Sequence, residues 1–158
     1  MSEQSLSIRC AADFADIALV RALFVEYQRW LDVSLCFQGF EQELAGLPGA
    51  YASPQGRLLL LARQDEAGGC IALRPLDKVS AEVKRLYMRR ELRGQGWGRR
   101  LVATVIADAR AIGYRSLKLD TLAQMETARA LYADAGFRVC APYYDNPLPD
   151  AIYMELAL

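Results

Sequence analysis

Leu86-Tyr87-Met88-Arg89-Arg90-Glu91-Leu92-Arg93-Gly94-Gln95-Gly96-Trp97-Gly98-Arg99-Arg100 reads as a strand that enters a glycine-rich turn and then a helix. Three alternating glycines at a helix start leave several backbone N–H groups aimed at one spot without Cβ obstruction. The helix dipole makes that spot attractive to an anion such as a pyrophosphate. Between residues 84 and 100, seven Lys or Arg stand against a single acid, Glu91, a local excess of +6 in a chain whose formal net charge is zero. A polyanionic ligand fits that field. There is no Gly-Lys-Ser/Thr, so the turn is not a Walker A loop. It lacks the spacing of a dinucleotide fingerprint, and its Arg-rich strand in mid-chain is unlike a first Rossmann strand. The other reading is a tight strand-to-helix turn that needs glycine for geometry alone.

Outward from this turn, the pattern predicts alternating elements. Residues 6–10 alternate like a short strand. Asp13 suits the N-cap of a helix running to about Trp30, with an apolar stripe at Ile17, Val20, Leu23, Phe24 and Tyr27. Residues 37–47 read as a second, shorter helix. Residues 57–63 and 70–75 are apolar runs separated by Asp65-Glu66-Ala67-Gly68-Gly69, which reads as a hairpin turn. Residues 81–89 form a further strand, and residues 96–112 a strongly amphipathic helix ending at Gly113. A strand at 116–120, a helix at 124–135, an extended stretch at 137–140 and a closing strand at 152–158 complete the chain. The expected fold class is α/β: a mixed sheet covered by helices on both faces, in one domain spanning residues 1–158.

Composition narrows the chemistry. The 158 residues are 53% hydrophobic and 24% charged, with 19 basic and 19 acidic side chains. A balanced charge argues against a duplex nucleic-acid partner. The longest aliphatic run, Leu58 to Ala62, is too short to span a bilayer, and no signal peptide is evident, so no membrane partner is expected. Cys10, Cys36, Cys70 and Cys140 are scattered with no C-x-x-C pair, which reads as reduced core thiols and a cytoplasmic location. The chain contains no histidine. That removes the commonest general base and zinc ligand and rules out Ser-His-Asp and Cys-His hydrolases; no metal site is expected.

The glycine-rich turn resembles the signature of the GNAT superfamily of acyl-CoA-dependent N-acetyltransferases, Gln/Arg-x-x-Gly-x-Gly/Ala, matched by Arg93, Gly96 and Gly98. A second family hallmark, Ala-x-x-Leu-Tyr-x-x-x-Gly-Phe, is present in full from Ala128 to Phe137. The resemblance covers nearly the whole chain and is weakest over residues 1–56. It implies acetyl-CoA as co-substrate and a GNAT-like fold. It implies that the amides across Arg93, Gly94, Gln95, Gly96, Trp97, Gly98 and Arg99 hold the CoA pyrophosphate. It further implies that Leu86, Tyr87 and Met88 pair with the pantetheine arm and offer an N–H to the thioester oxygen. Family members often carry Asn at the position of Met125; here Gln124 substitutes or that contact is lost.

Acetylating an amine requires a neutral nucleophile, yet an alkyl amine with a pKa near about 10 is more than about 99% protonated at pH 7. A base must take that proton, and the leaving thiolate benefits from a donor. Glu82, eleven residues before Arg93, stands where several family members carry a catalytic glutamate. Strict alternation puts it on one face with Lys84, Leu86 and Met88. It reads equally as a solvated glutamate paired with an arginine, and a water chain without a dedicated base also serves in the family. Tyr132 matches the family's tyrosine near the CoA sulfur, a candidate acid, or else a core tyrosine beside Leu131.

Tyr143, Tyr144, Asp145 and Asn146, in a proline-rich stretch before the last strand, suit a small polar amine by stacking, hydrogen bonds and charge. The stretch reads alternatively as a rigid loop that positions the closing strand. Residues 1–50 carry seven acids against three arginines, a solvated face or an attraction for a cationic acceptor. Trp30 and Phe37, near the junction of the first two helices, read equally as pocket walls and as core packing. The reading is an N-acetyltransferase that moves acetyl directly from acetyl-CoA to a small-molecule amine. Its alternatives are a protein N-terminus or lysine acetyltransferase and a non-catalytic acyl-CoA sensor; a homodimer is compatible with all three.

Overall fold

The computed structural model describes residues 5–35 and 38–158. Strand β1 (Ser7–Cys10) leads into α1 (Phe14–Leu31), whose start is fixed by Asp13: its Oδ1 accepts the Asp16 N–H at 2.8 Å. Such a cap is worth about 1 kcal/mol. Helix α2 (Phe40–Ala45) follows, entered through Gly39 at φ 70°. It is shorter than the expected 37–47, and Cys36 and Phe37 lie outside the described residues.

Strands β2 (Arg57–Arg63), β3 (Glu66–Pro75) and β4 (Ser80–Met88) form an antiparallel meander. The β2–β3 turn is Gln64–Asp65, with Gln64 at φ 56°, and not the expected stretch from Asp65 to Gly69. Gly68 and Gly69 are strand residues. A Cβ on Gly69 would stand 2.7 Å from Met88 Sδ and 2.8 Å from the Tyr87 carbonyl, so glycine is needed there for close strand approach and not for a turn.

Helix α3 (Trp97–Ile112), β5 (Ser116–Leu122), α4 (Glu126–Asp134), β6 (Arg138–Val139) and β7 (Ala151–Ala157) complete the fold. The sheet order is β1-β2-β3-β4-β5-β7-β6. Of the adjacent pairs, β4 and β5 alone run parallel. The expected mixed sheet with helices on both faces is what forms.

Each face has its own core. On one, Leu59, Leu61, Ile71 and Leu73 pack against Leu101, Val102 and Val105 of α3. On the other, Leu58, Leu60 and Ala72 pack against Val20, Leu23 and Phe24 of α1. Strand β2 is apolar at every position from Leu58 to Ala62 because both of its faces are covered. Each fully buried leucine contributes roughly 1.5–3 kcal/mol. Of the described cysteines, Cys70 is buried as expected, whereas Cys10 is exposed and Cys140 half-buried, and all are free thiols.

Two irregularities create the site. First, β4 and β5 pair only at Ser80–Ser116, Ala81–Leu117 and Glu82–Lys118. Beyond this, β5 stays with β7 as far as Leu122–Ala151, while β4 continues with β3 to Met88–Gly69. The sheet therefore opens along its middle. Second, β4 carries a bulge: Lys84 opposes Ala72 and Tyr87 opposes Cys70, with Arg85 in the left-handed region at φ 61°. The extra residue shifts side-chain alternation by one. Glu82 and Lys84 face the α1–α2 layer, and so do Arg85 and Tyr87, while Leu86 turns to the α3 core. Strict alternation had put Glu82 on the face of Leu86 and Met88; the bulge overturns that.

Candidate active site

The turn before α3 holds Gly94 at φ 79° and Gly96 at φ 88°, a conformation costly for residues with a Cβ. A Cβ at either position would meet nothing within 4 Å, so the space above both is open. The backbone N–H groups of residues 94–99 donate to no protein acceptor among the described residues. Six orphan donors at the positive end of a 16-residue helix form a ready anion cradle.

Below this cradle lies a slot of about 350 Å³ lined by Trp30, Leu86, Met88, Gly98, Ala128 and Leu131. The Arg89 N–H donates to the Gly68 carbonyl on β3 at 2.8 Å. Adjacent strand amides point opposite ways, so the Met88 N–H points into the opening where β5 has left. Arg93 reaches back from the turn: its Nε donates to the Met88 carbonyl at 2.9 Å, and its guanidinium lies 5.0 Å over the Trp30 ring and 5.8 Å over Tyr87. Trp30 thus borders this slot. Within the turn, Gln95 donates to the Glu91 carbonyl, the Arg99 side chain pairs with Asp134, and Trp97 lies under the Arg100 guanidinium at 4.3 Å.

On the α1–α2 face lies a second recess; Met125 lines both the slot and this recess. Lys84, Arg85, Asp120, Asn146 and Gln38 supply its polar lining; Leu31, Val33, Leu35 and Leu148 are among its apolar neighbours. The Asp120 Oδ2 accepts from the Tyr144 hydroxyl and, at 2.8 Å, from Asn146 Nδ2. Gln38 donates to the Tyr144 hydroxyl at 3.2 Å and accepts from Lys84 at 3.0 Å and Arg85 at 2.8 Å. Arg85 is held by both oxygens of Glu43, at 2.9 and 3.0 Å.

Glu82 is 1% exposed. Its Oε1 accepts from Arg74 Nε at 2.7 Å, and its Oε2 from the Tyr143 hydroxyl at 2.5 Å. It does not line the recess; of the charged residues that do, Lys84 approaches it, with Nζ 3.8 Å from Oε1. Of the four residues expected at the acceptor end, Asn146 lines the recess, Tyr144 is bonded to its lining residues Asp120 and Gln38, and Tyr143 stands behind them on Glu82. Asp145 points to solvent and makes no hydrogen bond or ion pair among the described residues. Tyr132 is buried on α4 with its ring 5.7 Å from Phe137, and its hydroxyl makes no hydrogen bond among the described residues. Burial, with the nearby Tyr27 phenol and Asp120 carboxylate, pushes its pKa well above the usual tyrosine value. A phenol of this kind stays protonated through the physiological range.

The model of the acetyltransferase (GNAT) family matches residues 20–137. The chain belongs to this family. An uncharacterised N-acetyltransferase of Schizosaccharomyces pombe is 36% identical over 162 residues, covering 100% of this chain and 98% of that one. An acetyltransferase from Streptococcus agalactiae superposes with a TM-score of 0.81 at 20% identity, covering 98% and 99% of the two chains. PaiA N-acetyltransferase from Thermoplasma acidophilum, solved with coenzyme A, gives a TM-score of 0.74 at 18% identity, covering 98% and 99%. As a GNAT protein, the chain is an acetyl-CoA-dependent N-acetyltransferase. No helix among the described residues is long and apolar enough to cross a membrane.

Sequence reasoning missed Asp120, Lys84 and Gln38. For Asp120 a signal was available: Lys118 and Asp120 alternate with Leu117 and Leu119, which places two charges on one face of an otherwise buried strand. Gln38 carries no comparable signal, since only tertiary packing brings it to β4.

Proposed function

We propose that this GNAT enzyme acetylates the amine of a small molecule, in the cytoplasm, by direct transfer from acetyl-CoA. The observation that carries the reading is the closure of the acceptor recess. The loop from Tyr143 to Leu148 is tied to the sheet through Tyr143–Glu82, Tyr144–Asp120 and Asn146–Asp120, and to the α1–α2 layer through Gln38–Tyr144. A recess bounded on one side by Asn146 and Leu148 of that loop suits a compact acceptor, whereas a peptide would need an open groove.

In this reading the amides of residues 94–99 hold the pyrophosphate. The strand from Leu86 to Met88 aligns the pantetheine arm, and the Met88 N–H faces the thioester oxygen, where negative charge develops during acyl transfer. Asp120 takes the proton of the acceptor ammonium, because it is the carboxylate that lines the recess and its Oδ1 accepts no hydrogen bond among the described residues. The amine nitrogen then attacks the thioester carbon, the C–S bond breaks, and the Tyr132 hydroxyl protonates the departing thiolate. Glu82, its oxygens engaged by Arg74 and Tyr143, acts as a positioning residue that holds the Tyr143 phenol in place.

The test is an acetylation screen read by mass spectrometry, with acetyl-CoA, a library of small amines, and peptides bearing free N-termini or lysines. Acetylated small amines and unmodified peptides are expected. Acetylation of peptides alone would sink the proposal.

A further inference from the structure

We infer that the acceptor is an amino acid, with Asp120 receiving its ammonium and Lys84 its carboxylate. This rests on the reading of the recess as the acceptor site. The recess is lined by three charged side chains: Lys84, Arg85 and Asp120. Arg85 is neutralised in place by the two-point contact with Glu43, so it offers little charge to a ligand. The other two carry opposite charges on opposite walls of the opening, Lys84 on β4 and Asp120 on β5.

Neither charge is fully partnered among the described residues. The carboxylate nearest Lys84 is Glu82, whose Oε1 lies 3.8 Å from Nζ, beyond hydrogen-bond range, and already accepts from Arg74 at 2.7 Å. Of the three ammonium donors of Lys84, the one with a hydrogen-bonded partner among the described residues goes to Gln38 Oε1 at 3.0 Å. Its side chain is 4% exposed, so the recess is its access to an anion. Asp120 has no cation within 4 Å among the described residues; its Oδ2 holds Tyr144 and Asn146, leaving Oδ1. A buried charge such as Lys84, left short of partners, is expensive unless a ligand completes it, and the half-buried Asp120 keeps one oxygen open across the opening from it.

A simple monoamine would answer Asp120 and leave Lys84 short. A dicarboxylate would answer Lys84 and oppose Asp120. A compact zwitterion answers both, and Leu35 and Leu148 leave an apolar margin for a small aliphatic side chain. The same two contacts orient the acceptor, since the amine is drawn toward β5 and toward Met125, the residue that borders both recess and slot.

The experiment compares matched pairs on the wild-type protein: alanine with ethylamine, valine with isobutylamine, and β-alanine with ethylamine. Acetylated product is measured by mass spectrometry at pH 7. The amino acid of at least one pair is expected to show kcat/KM at least about tenfold above its decarboxylated partner, the discrimination a charged contact typically supplies. In Lys84→Met the ratio within that pair should fall toward one, and binding of acetyl-CoA by calorimetry confirms that the variant is folded. Amines used as well as or better than their amino acids would overturn the inference and leave the small-molecule reading standing. Acetylation of peptides with no turnover of either class would overturn both. The wild-type comparison decides the matter even if the substitution unfolds the protein.

Discussion

The two ends of the cleft are built from different materials. The anion cradle is made of backbone: six consecutive amides, two glycines with positive φ, and the start of one helix, all within residues 94–99. The acceptor recess is made of side chains brought from the region after α1, from β4, from β5 and from the loop before β7, joined by hydrogen bonds spanning up to 106 residues of sequence. A backbone site depends little on which side chains surround it. A side-chain site can be changed one residue at a time, so specificity resides there.

This contrast can be broken most directly at the cradle. Gly96→Asp places a carboxylate beside the orphan amides and a Cβ at φ 88°. Acetyl-CoA affinity measured by calorimetry should fall at least about 100-fold, the scale of adding a repelling charge to a charged site. Undiminished binding would show that the amides are not the anchor. Next in size, Asp120→Asn should lower kcat/KM roughly 100–1,000-fold, within the range of a lost general base, while leaving acetyl-CoA affinity within about twofold. A parallel loss of cofactor binding would merge the two ends into one site.

Tyr132→Phe sharpens the comparison at the point where the ends meet. It should reduce kcat by roughly 10- to 100-fold through loss of the proton donor, with the melting temperature little changed because its hydroxyl makes no hydrogen bond among the described residues. Full activity would leave Tyr132 as a packing residue against Phe137.

The smallest effect is a pH signature. Burial, followed by the adjacent Arg85 charge, lowers the Lys84 pKa from 10.5 to about 8 despite the raising influence of Glu82 and Asp120. Between these values the unfolded chain binds the proton that the folded chain has released, so stability rises with pH across that window. Above about pH 10 the buried tyrosines, whose phenols are pushed up in the folded state, act in the opposite direction. The melting temperature of the wild type relative to Lys84→Met should therefore climb between pH 8 and 10. A flat difference would mean that Lys84 is better solvated than its burial implies.

How much of this was legible in the sequence follows the same division. The cradle and its flanking strand and helix could be read from residues 86–100 because glycine spacing and helix signals are local. The order of elements could be read for the same reason. The β4 bulge could not, since nothing in Glu82-Val83-Lys84-Arg85-Leu86 marks where alternation slips; Arg85 holds its left-handed backbone through Glu43, 42 residues away. The recess was half legible. Tyr143, Tyr144 and Asn146 stood out as a polar aromatic cluster, but their partners Asp120, Glu82 and Gln38 are fixed by the opening of the sheet, which is a property of pairing and not of any one strand.

That opening has a mechanical side. Among the described residues, three ladder pairs and the Arg115 and Ser116 N–H bonds to Val79 make the backbone seam between a four-strand half and a three-strand half of the sheet. Past the seam the molecule carries two strand borders in its interior, where most proteins keep them at the rim. Such borders recruit extended chain of any origin. Whatever occupies the gap therefore serves also as a splint, and the empty protein is the form most exposed to invasion by a strand from a partly unfolded neighbour.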